Sequence, residues 1–355
     1  MNVASYGPVD CDIHPALPTT DALLPYLDDY WREMVLMRTV QDLDLASYPA
    51  NLPLTGRPDW RTAAGSAGTD FDMLKSQALD GFGARFAICN VLNGVHCLPS
   101  DDFAAVLCRA LNDWVTKEWL DRDPRLRASI VVPTENPELA VEEIERRAPD
   151  KRFVQVQVLV AGEHPLGKRV YWPIYRAAVR HGLPIGIHAG GTRRHPPTTI
   201  GWGSYFIEDY VANAQAFQSQ LLSLVSEGVF AEFPELKVVL IESGFTWLPA
   251  FLWRFDKTWR GLRHEIPWVR RPPTDIVREH VRFTLQPVDG PPQREQFERL
   301  VRHMGSDEML LFSTDYPHWQ FDGDDVLPGG LSPEHVRRIT VDNPLDTYPR
   351  LKEAV

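Results

Sequence analysis

Val9-Asp10-Cys11-Asp12-Ile13-His14-Pro15 reads as a short buried strand that ends in a pair of metal-type donors. In an extended strand, residues two apart share a face. Asp12 and His14 are therefore expected to point together, while Cys11 and Ile13 face helices outside. Pro15 ends the run and leaves the pair at its C-terminal edge. By itself an Asp-x-His triplet is commonplace, so its weight depends on what the other strand ends carry.

Working outward, further apolar runs occupy residues 85–92, 128–133, 153–160, 184–189, 236–242, 281–286 and 309–315. Helical periodicity separates them over 101–120, 138–148, 172–181 and 209–228. Asn136-Pro137 is a cap and first-turn pair, Gly182 suits a left-handed helix end, and Ser332-Pro333 opens the last helix. Eight strands alternating with helices predict an α/β fold, a closed parallel (β/α)8 barrel of the TIM type. An open doubly wound sheet would carry a glycine-rich phosphate loop after the first strand, and none is present. Residues 15–84 form an insertion after strand one, with a predicted helix over 23–37 and a Gly, Pro, Ala and Asp-rich stretch over 49–70. Such a length distorts the barrel and is expected to cover its mouth or meet another subunit. The whole chain, 1–355, reads as one domain.

Composition supports a large core, with 44% apolar and 24% charged residues. A net charge of −11 argues against a nucleic-acid partner. The first residues lack a basic start and an apolar segment, and no run of about 18 apolar residues occurs, so a cytoplasmic protein without membrane attachment is expected. The four cysteines, Cys11, Cys89, Cys97 and Cys108, show no C-x-x-C spacing and read as small buried residues.

In parallel barrels the loops after the strands converge on one mouth, so strand-end donors can meet there. Asp12 and His14 end strand one, His188 lies near the end of strand five, Glu242 ends strand six and Asp315 ends strand eight. Two imidazoles with two or three carboxylates suit Zn²⁺, Mn²⁺ or Fe²⁺. Plainer readings compete at each position. A histidine can be a satisfied core residue, Asp315 can be a turn residue before Tyr316-Pro317, and Glu242 can pair with Arg193 or Arg254. His318, three residues past Asp315, is a candidate for proton handling or substrate contact. Arg193 and His195 on the strand-five loop are candidates for a substrate carboxylate, with Trp202, Tyr205 and Tyr316 as wall residues and His96 as a lesser candidate.

The Asp12-x-His14 strand, Gly186-Ile-His188-Ala-Gly-Gly191 and Ser313-Thr-Asp315-Tyr-Pro-His318 together resemble the metal-dependent amidohydrolase superfamily. More narrowly they resemble its amidohydrolase-2 branch, which includes decarboxylases of aminocarboxymuconate semialdehyde and gamma-resorcylate. The resemblance spans nearly the whole chain and implies that Asp12, His14, His188 and Asp315 hold one divalent ion, zinc foremost, with a water completing its shell. Two departures stand out. Asp12 replaces the first histidine of the common His-x-His, and Glu242 stands where relatives often carry a catalytic histidine on strand six. Strand four presents Gln155 and Gln157, so the carboxylated lysine of binuclear relatives is absent.

The implied activity is non-oxidative decarboxylation or hydrolysis of a small carboxylated aromatic or unsaturated compound, with Asp315, Glu242 and His318 as the catalytic set. Two rivals stay open: an iron- or manganese-dependent oxygenase on the same scaffold, and a metal-bearing structural partner of a related catalytic chain. An aromatic stripe of Leu248, Phe251, Leu252, Phe255 and Trp259 reads as core or subunit contact. A homodimer or higher oligomer is expected, with pairing to a homologous chain as the variant.

Overall fold

The computed structural model describes residues 3–38, 40, 43, 58–60, 67–192, 195–291, 293–318, 326–329 and 331–353. Eight parallel strands follow one another around a single sheet in the order β1 to β8. They are β1 Val9–Ile13, β2 Phe86–Cys89, β3 Leu126–Val131, β4 Phe153–Ala161, β5 Ile185–Gly191, β6 Val238–Ile241, β7 Val281–Thr284 and β8 Leu310–Leu311. The ring closes where the chain beyond β8 meets β1. Cys11 N–H donates to Phe312 O at 2.9 Å, Asp315 N–H to Asp12 O at 3.0 Å and His14 N–H to Tyr316 O at 2.7 Å. The chain is thus a TIM barrel, as the alternation of runs predicts.

Strand formation follows the Val and Ile content, and the strands are buried along almost their whole length. Each fully buried Val or Ile contributes about 1.5–3 kcal/mol through apolar burial. The helices pack outside. Ser100 Oγ caps Asp101–Val115 by accepting Phe103 N–H, and the helix lays Phe103, Leu107, Leu111 and Trp114 on the barrel. Its expected last turn widens into a π-type turn at Thr116–Leu120. Asn136 caps Pro137–Arg147, and Gly182 takes a left-handed φ of 63° after Trp172–Arg180.

Three expectations are corrected. The predicted helix over 23–37 is broken: a 3-10 segment Thr20–Tyr26 containing Pro25 ends there, and Asp29–Arg38 starts anew. Asp28 Oδ1 accepts Trp31 N–H at 3.0 Å, so a cap competes with continuation. Strand eight is two residues long because the chain turns away: Thr314 N–H and Oγ1–H both donate to Asp10, at 3.0 and 2.6 Å. Simple alternation fails in β1, where the register shifts between Asp10 and Ile13. Cys11 packs with Val9, Ile88, Leu311 and Tyr348 in a small second cluster, whereas Ile13 joins the main core.

The aromatic stripe on Leu248–Leu262 is core: Leu248, Leu252 and Phe255 are buried, while Trp253 faces outward. Cys11, Cys89 and Cys108 are buried without disulfides, and the Cys97 side chain lies outside the described set. Among the described residues no helix is long and apolar enough to cross a membrane.

Candidate metal centre

His14 is oriented by its neighbour just past β2. Its Nδ1 lies 2.8 Å from the Asn90 carbonyl, which can only accept, so Nδ1 carries the proton and Nε2 presents its lone pair. His188 is set in the same way by the Ala189 carbonyl at 2.9 Å. Both Nε2 atoms face carboxylates. His14 Nε2 lies 2.9 Å from Asp315 Oδ1, 3.2 Å from Asp12 Oδ1 and 3.5 Å from Glu242 Oε1. His188 Nε2 lies 3.3 Å from Glu242 Oε1 and 3.7 Å from Asp12 Oδ1.

His318 completes the group, its Nδ1 2.8 Å from Asp315 Oδ1 and 3.8 Å from Glu242 Oε1, with its ring stacked on His14 at 4.4 Å. Ligand atoms of Asp12, His14, His188 and Glu242 lie within 4.8 Å of one another, as do those of His14, Glu242, Asp315 and His318.

This set fits a divalent cation. Asp12 Oδ2, His14 Nε2, His188 Nε2 and Glu242 Oε1 are all buried without a hydrogen-bond partner among the described residues. Three buried carboxylates in one place would be strongly unfavourable unless positive charge balances them. The imidazoles show the same demand. Burial opposes charge on His318, yet Asp315 and Glu242 outweigh it and push its pKa up to about 9. Burial likewise opposes charge on Glu242, but His188, His14 and His318 hold its carboxyl well below the ordinary range.

The surroundings lock these donors. Asn90 Nδ2–H donates to Asp12 Oδ1 at 2.8 Å. Asn90 Oδ1 in turn accepts from Ser129 Oγ at 2.5 Å and Gln155 Nε2 at 3.2 Å, and Tyr348 O–H donates to Gln155 Oε1 at 3.1 Å. Glu242 and Asp315 sit at left-handed φ values of 59° and 56°. Such backbone costs roughly 1–3 kcal/mol per non-glycine residue and turns both side chains out of their strand lines. Thr284 Oγ1 holds the first of these turns by accepting Glu242 N–H at 3.1 Å.

The structure therefore brings together Asp12, His14, His188, Glu242, Asp315 and His318. It does not bring in the expected wall residues. Tyr316 is buried with its O–H on Gln77 at 2.8 Å and its ring against Trp60, so its polar end is already engaged by the insertion. Trp202 and Tyr205 are 41% and 70% exposed. His195 is tied by its backbone N–H to Thr192 O at 3.2 Å and is not part of the cluster. Arg193 lies outside the described residues, and Arg254 is exposed, which corrects its pairing with Glu242.

Asn90 escaped sequence reasoning because one asparagine after a strand carries no spacing signal. A cleft of about 680 Å³ bounded by Arg169, Trp172, Glu227, Trp268 and Arg270 contains none of the cluster residues. The strand-end donors, not that cleft, mark the site, because among the described residues they combine buried charge with open ligand atoms.

The family model described as Amidohydrolase, Amidohydro_2, matches residues 9–350. The chain belongs to this amidohydrolase family. This amidohydrolase is 26% identical over 279 residues to a gamma-resorcylate decarboxylase of Rhodococcus jostii, covering 70% of the chain and 81% of that protein.

Among solved structures it is similar to a dihydroxybenzoic acid decarboxylase from Polaromonas sp. with bound manganese and the inhibitor 2-nitroresorcinol. The TM-score is 0.68 at 20% identity, with 97% of each chain covered. It is also similar to a 5-carboxyvanillate decarboxylase from Novosphingobium aromaticivorans complexed with manganese. There the TM-score is 0.67 at 18% identity, covering 98% of this chain and 97% of that one. At these identities the structural likeness carries the fold, and the family match carries the membership.

Proposed function

We propose that this amidohydrolase is a mononuclear metal-dependent decarboxylase of a small aromatic carboxylate. The observation that carries the reading is the convergence of two outward-facing imidazole Nε2 atoms and three buried carboxylates at the barrel mouth. The relatives' names supply the reaction class: gamma-resorcylate, dihydroxybenzoate and 5-carboxyvanillate are aromatic carboxylates. Asp12, His14, His188 and Glu242 would hold the ion, and Asp315, grouped with His14, Glu242 and His318, would join them from beyond β8. A donor set with up to three carboxylates is hard, which together with the manganese of the neighbours supports Mn²⁺ over Zn²⁺.

When bound, the divalent ion supplies Lewis-acid polarisation of the substrate carboxylate and an adjacent oxygen. The chain handles the proton. His318 is anchored through Nδ1 on Asp315, which leaves Nε2 as the ring atom that hands a proton to the substrate carbon bearing the carboxylate. The C–C bond then breaks, its electron pair restores the aromatic ring, CO₂ leaves, and His318 regains a proton from water. An imidazole thus comes from beyond β8 while β6 contributes Glu242, so the substitution on strand six does not deprive the chain of a proton carrier.

The test is CO₂ release from a panel of hydroxybenzoates and carboxyvanillates by manganese-loaded protein, run beside ester and amide turnover and oxygen uptake. CO₂ release without oxygen uptake supports the reading. Silence across every aromatic carboxylate, with turnover in another arm, rejects it.

Self-association is proposed on a separate observation. Ile200, Trp202, Tyr205, Ile207 and Val211 form an exposed apolar face at the start of helix Phe206–Ser226. A monomeric mass by light scattering at micromolar concentration would remove it.

A further inference from the structure

We infer that His96, Thr134 and Gln157 form a subsite for a neutral hydroxyl on the substrate, beside the metal centre. The inference deepens the decarboxylase reading and rests on it for the orientation of the substrate carboxylate.

The three residues come from consecutive strands. His96 lies in the Gly94–Cys97 turn after β2, Thr134 follows β3, and Gln157 lies on β4 opposite Gly186, two residues before the level of His188. All are buried, at 5%, 4% and 0% exposure. Each also leaves polar atoms unsatisfied among the described residues: both ring nitrogens of His96, Thr134 Oγ1 and Gln157 Oε1. More than nine in ten buried polar groups find partners, and each one left open costs about 1–3 kcal/mol. Open atoms on β4 and in the segments that follow β2 and β3 therefore call for a common explanation.

The layer below gives the contrast. Gln155, two residues earlier on the same strand, has both ends of its amide engaged, with Asn90 and Ser129 on one side and Tyr348 on the other. Gln157 is the same side chain one layer nearer the mouth, with its oxygen open.

The donor pattern names the ligand. Gln157 Nε2–H donates to the Val91 carbonyl at 3.4 Å, which fixes the amide orientation and leaves Oε1, an acceptor, open. His96 is buried with both ring nitrogens open, and burial favours the neutral imidazole, which offers one donor and one acceptor. Thr134 Oγ1 can do either. A group that both donates and accepts without charge satisfies all three, and a hydroxyl does so. A second carboxylate would set its lone pairs against those of Gln157 Oε1.

The test is calorimetric titration of manganese-loaded protein with benzoate, 3-hydroxybenzoate, 4-hydroxybenzoate and isophthalate. His96→Phe, Thr134→Val and Gln157→Met are compared with the parent chain. At least one hydroxybenzoate should bind the parent about tenfold tighter than benzoate does, and the ratio should fall toward unity in His96→Phe and Gln157→Met. Benzoate affinity and manganese content should hold. Thermal melting is the second readout: Thr134→Val and His96→Phe remove open buried polar atoms and should not lower Tm.

A ratio unchanged in all three variants, or isophthalate binding tighter than both hydroxybenzoates, overturns the subsite. A clear fall in Tm for both Thr134→Val and His96→Phe does so too, because those atoms would then have partners within the fold. Affinity is read without turnover. Selective binding without CO₂ release would therefore reject the decarboxylase reading and leave the subsite standing.

Discussion

Asn90 donates its side-chain amide to Asp12 Oδ1 over 2.8 Å, and its backbone carbonyl sets the His14 ring at the same distance. One residue just past β2 therefore orients both donors at the end of β1, and a third layer of Ser129 and Gln155 holds that residue in turn. Asn90→Ala should weaken manganese binding about 10- to 100-fold and cost about 1–3 kcal/mol of stability. Equilibrium dialysis and denaturant unfolding check the two effects separately, and unchanged manganese affinity would show that Asp12 needs no brace.

Ligand and proton roles separate by substitution. His188→Ala should remove most bound manganese and with it the turnover, read by elemental analysis of protein purified without chelator. Glu242→Gln should weaken manganese binding by about tenfold or more if Glu242 is a ligand. Full metal content with lost turnover would move it to proton handling instead.

His318→Gln is expected to keep its manganese while CO₂ release falls roughly 10²- to 10⁴-fold. Its ring meets the carboxylates through Nδ1, at 2.8 Å from Asp315 and 3.8 Å from Glu242. Loss of metal in this variant would make His318 a ligand and leave the proton without its carrier.

Removing the ion should destabilise the fold, because the clustered carboxylates bind it only when assembled. Manganese at a hundredfold excess over Kd adds about 2.7 kcal/mol. Differential scanning fluorimetry with and without chelator reads the shift, and an unchanged Tm would mean that no ion binds the native state.

Acid sensitivity follows from His96. Burial and His188 lower its pKa from the ordinary 6.5 to about 4, so between those values the unfolded chain holds a proton that the folded chain does not. Its stabilising effect is complete above 6.5 and fades as pH falls toward 4, by roughly 3 kcal/mol at most. The Tm of His96→Phe relative to the parent should therefore rise steadily across that range in the metal-free protein. A flat difference would contradict it.

Much of this was legible in the residues. The caps at Asn136 and Ser332 and the left-handed glycine at 182 depend on local chemistry, and they formed where that chemistry placed them, with each strand lying within its apolar run or overlapping it. The donors at strand ends were legible because barrel topology sends every such end to one mouth. What lay hidden depends on contacts distant in sequence. Strand eight is short because Thr314 bonds to Asp10, 304 positions away, and Asn90 matters only because β2 pairs with β1. Tyr316 looked like a pocket wall until Gln77, 239 positions away, engaged its hydroxyl.

The left-handed backbone at Glu242 and Asp315 has an evolutionary consequence. Glycine would relax both turns, and it would also dissolve the anionic crowding at the mouth. A lineage freed from chemistry but still selected for heat resistance would drift toward glycine at these two places first. Copies of this fold that have fallen silent should be recognisable there, with the rest of the barrel left almost untouched.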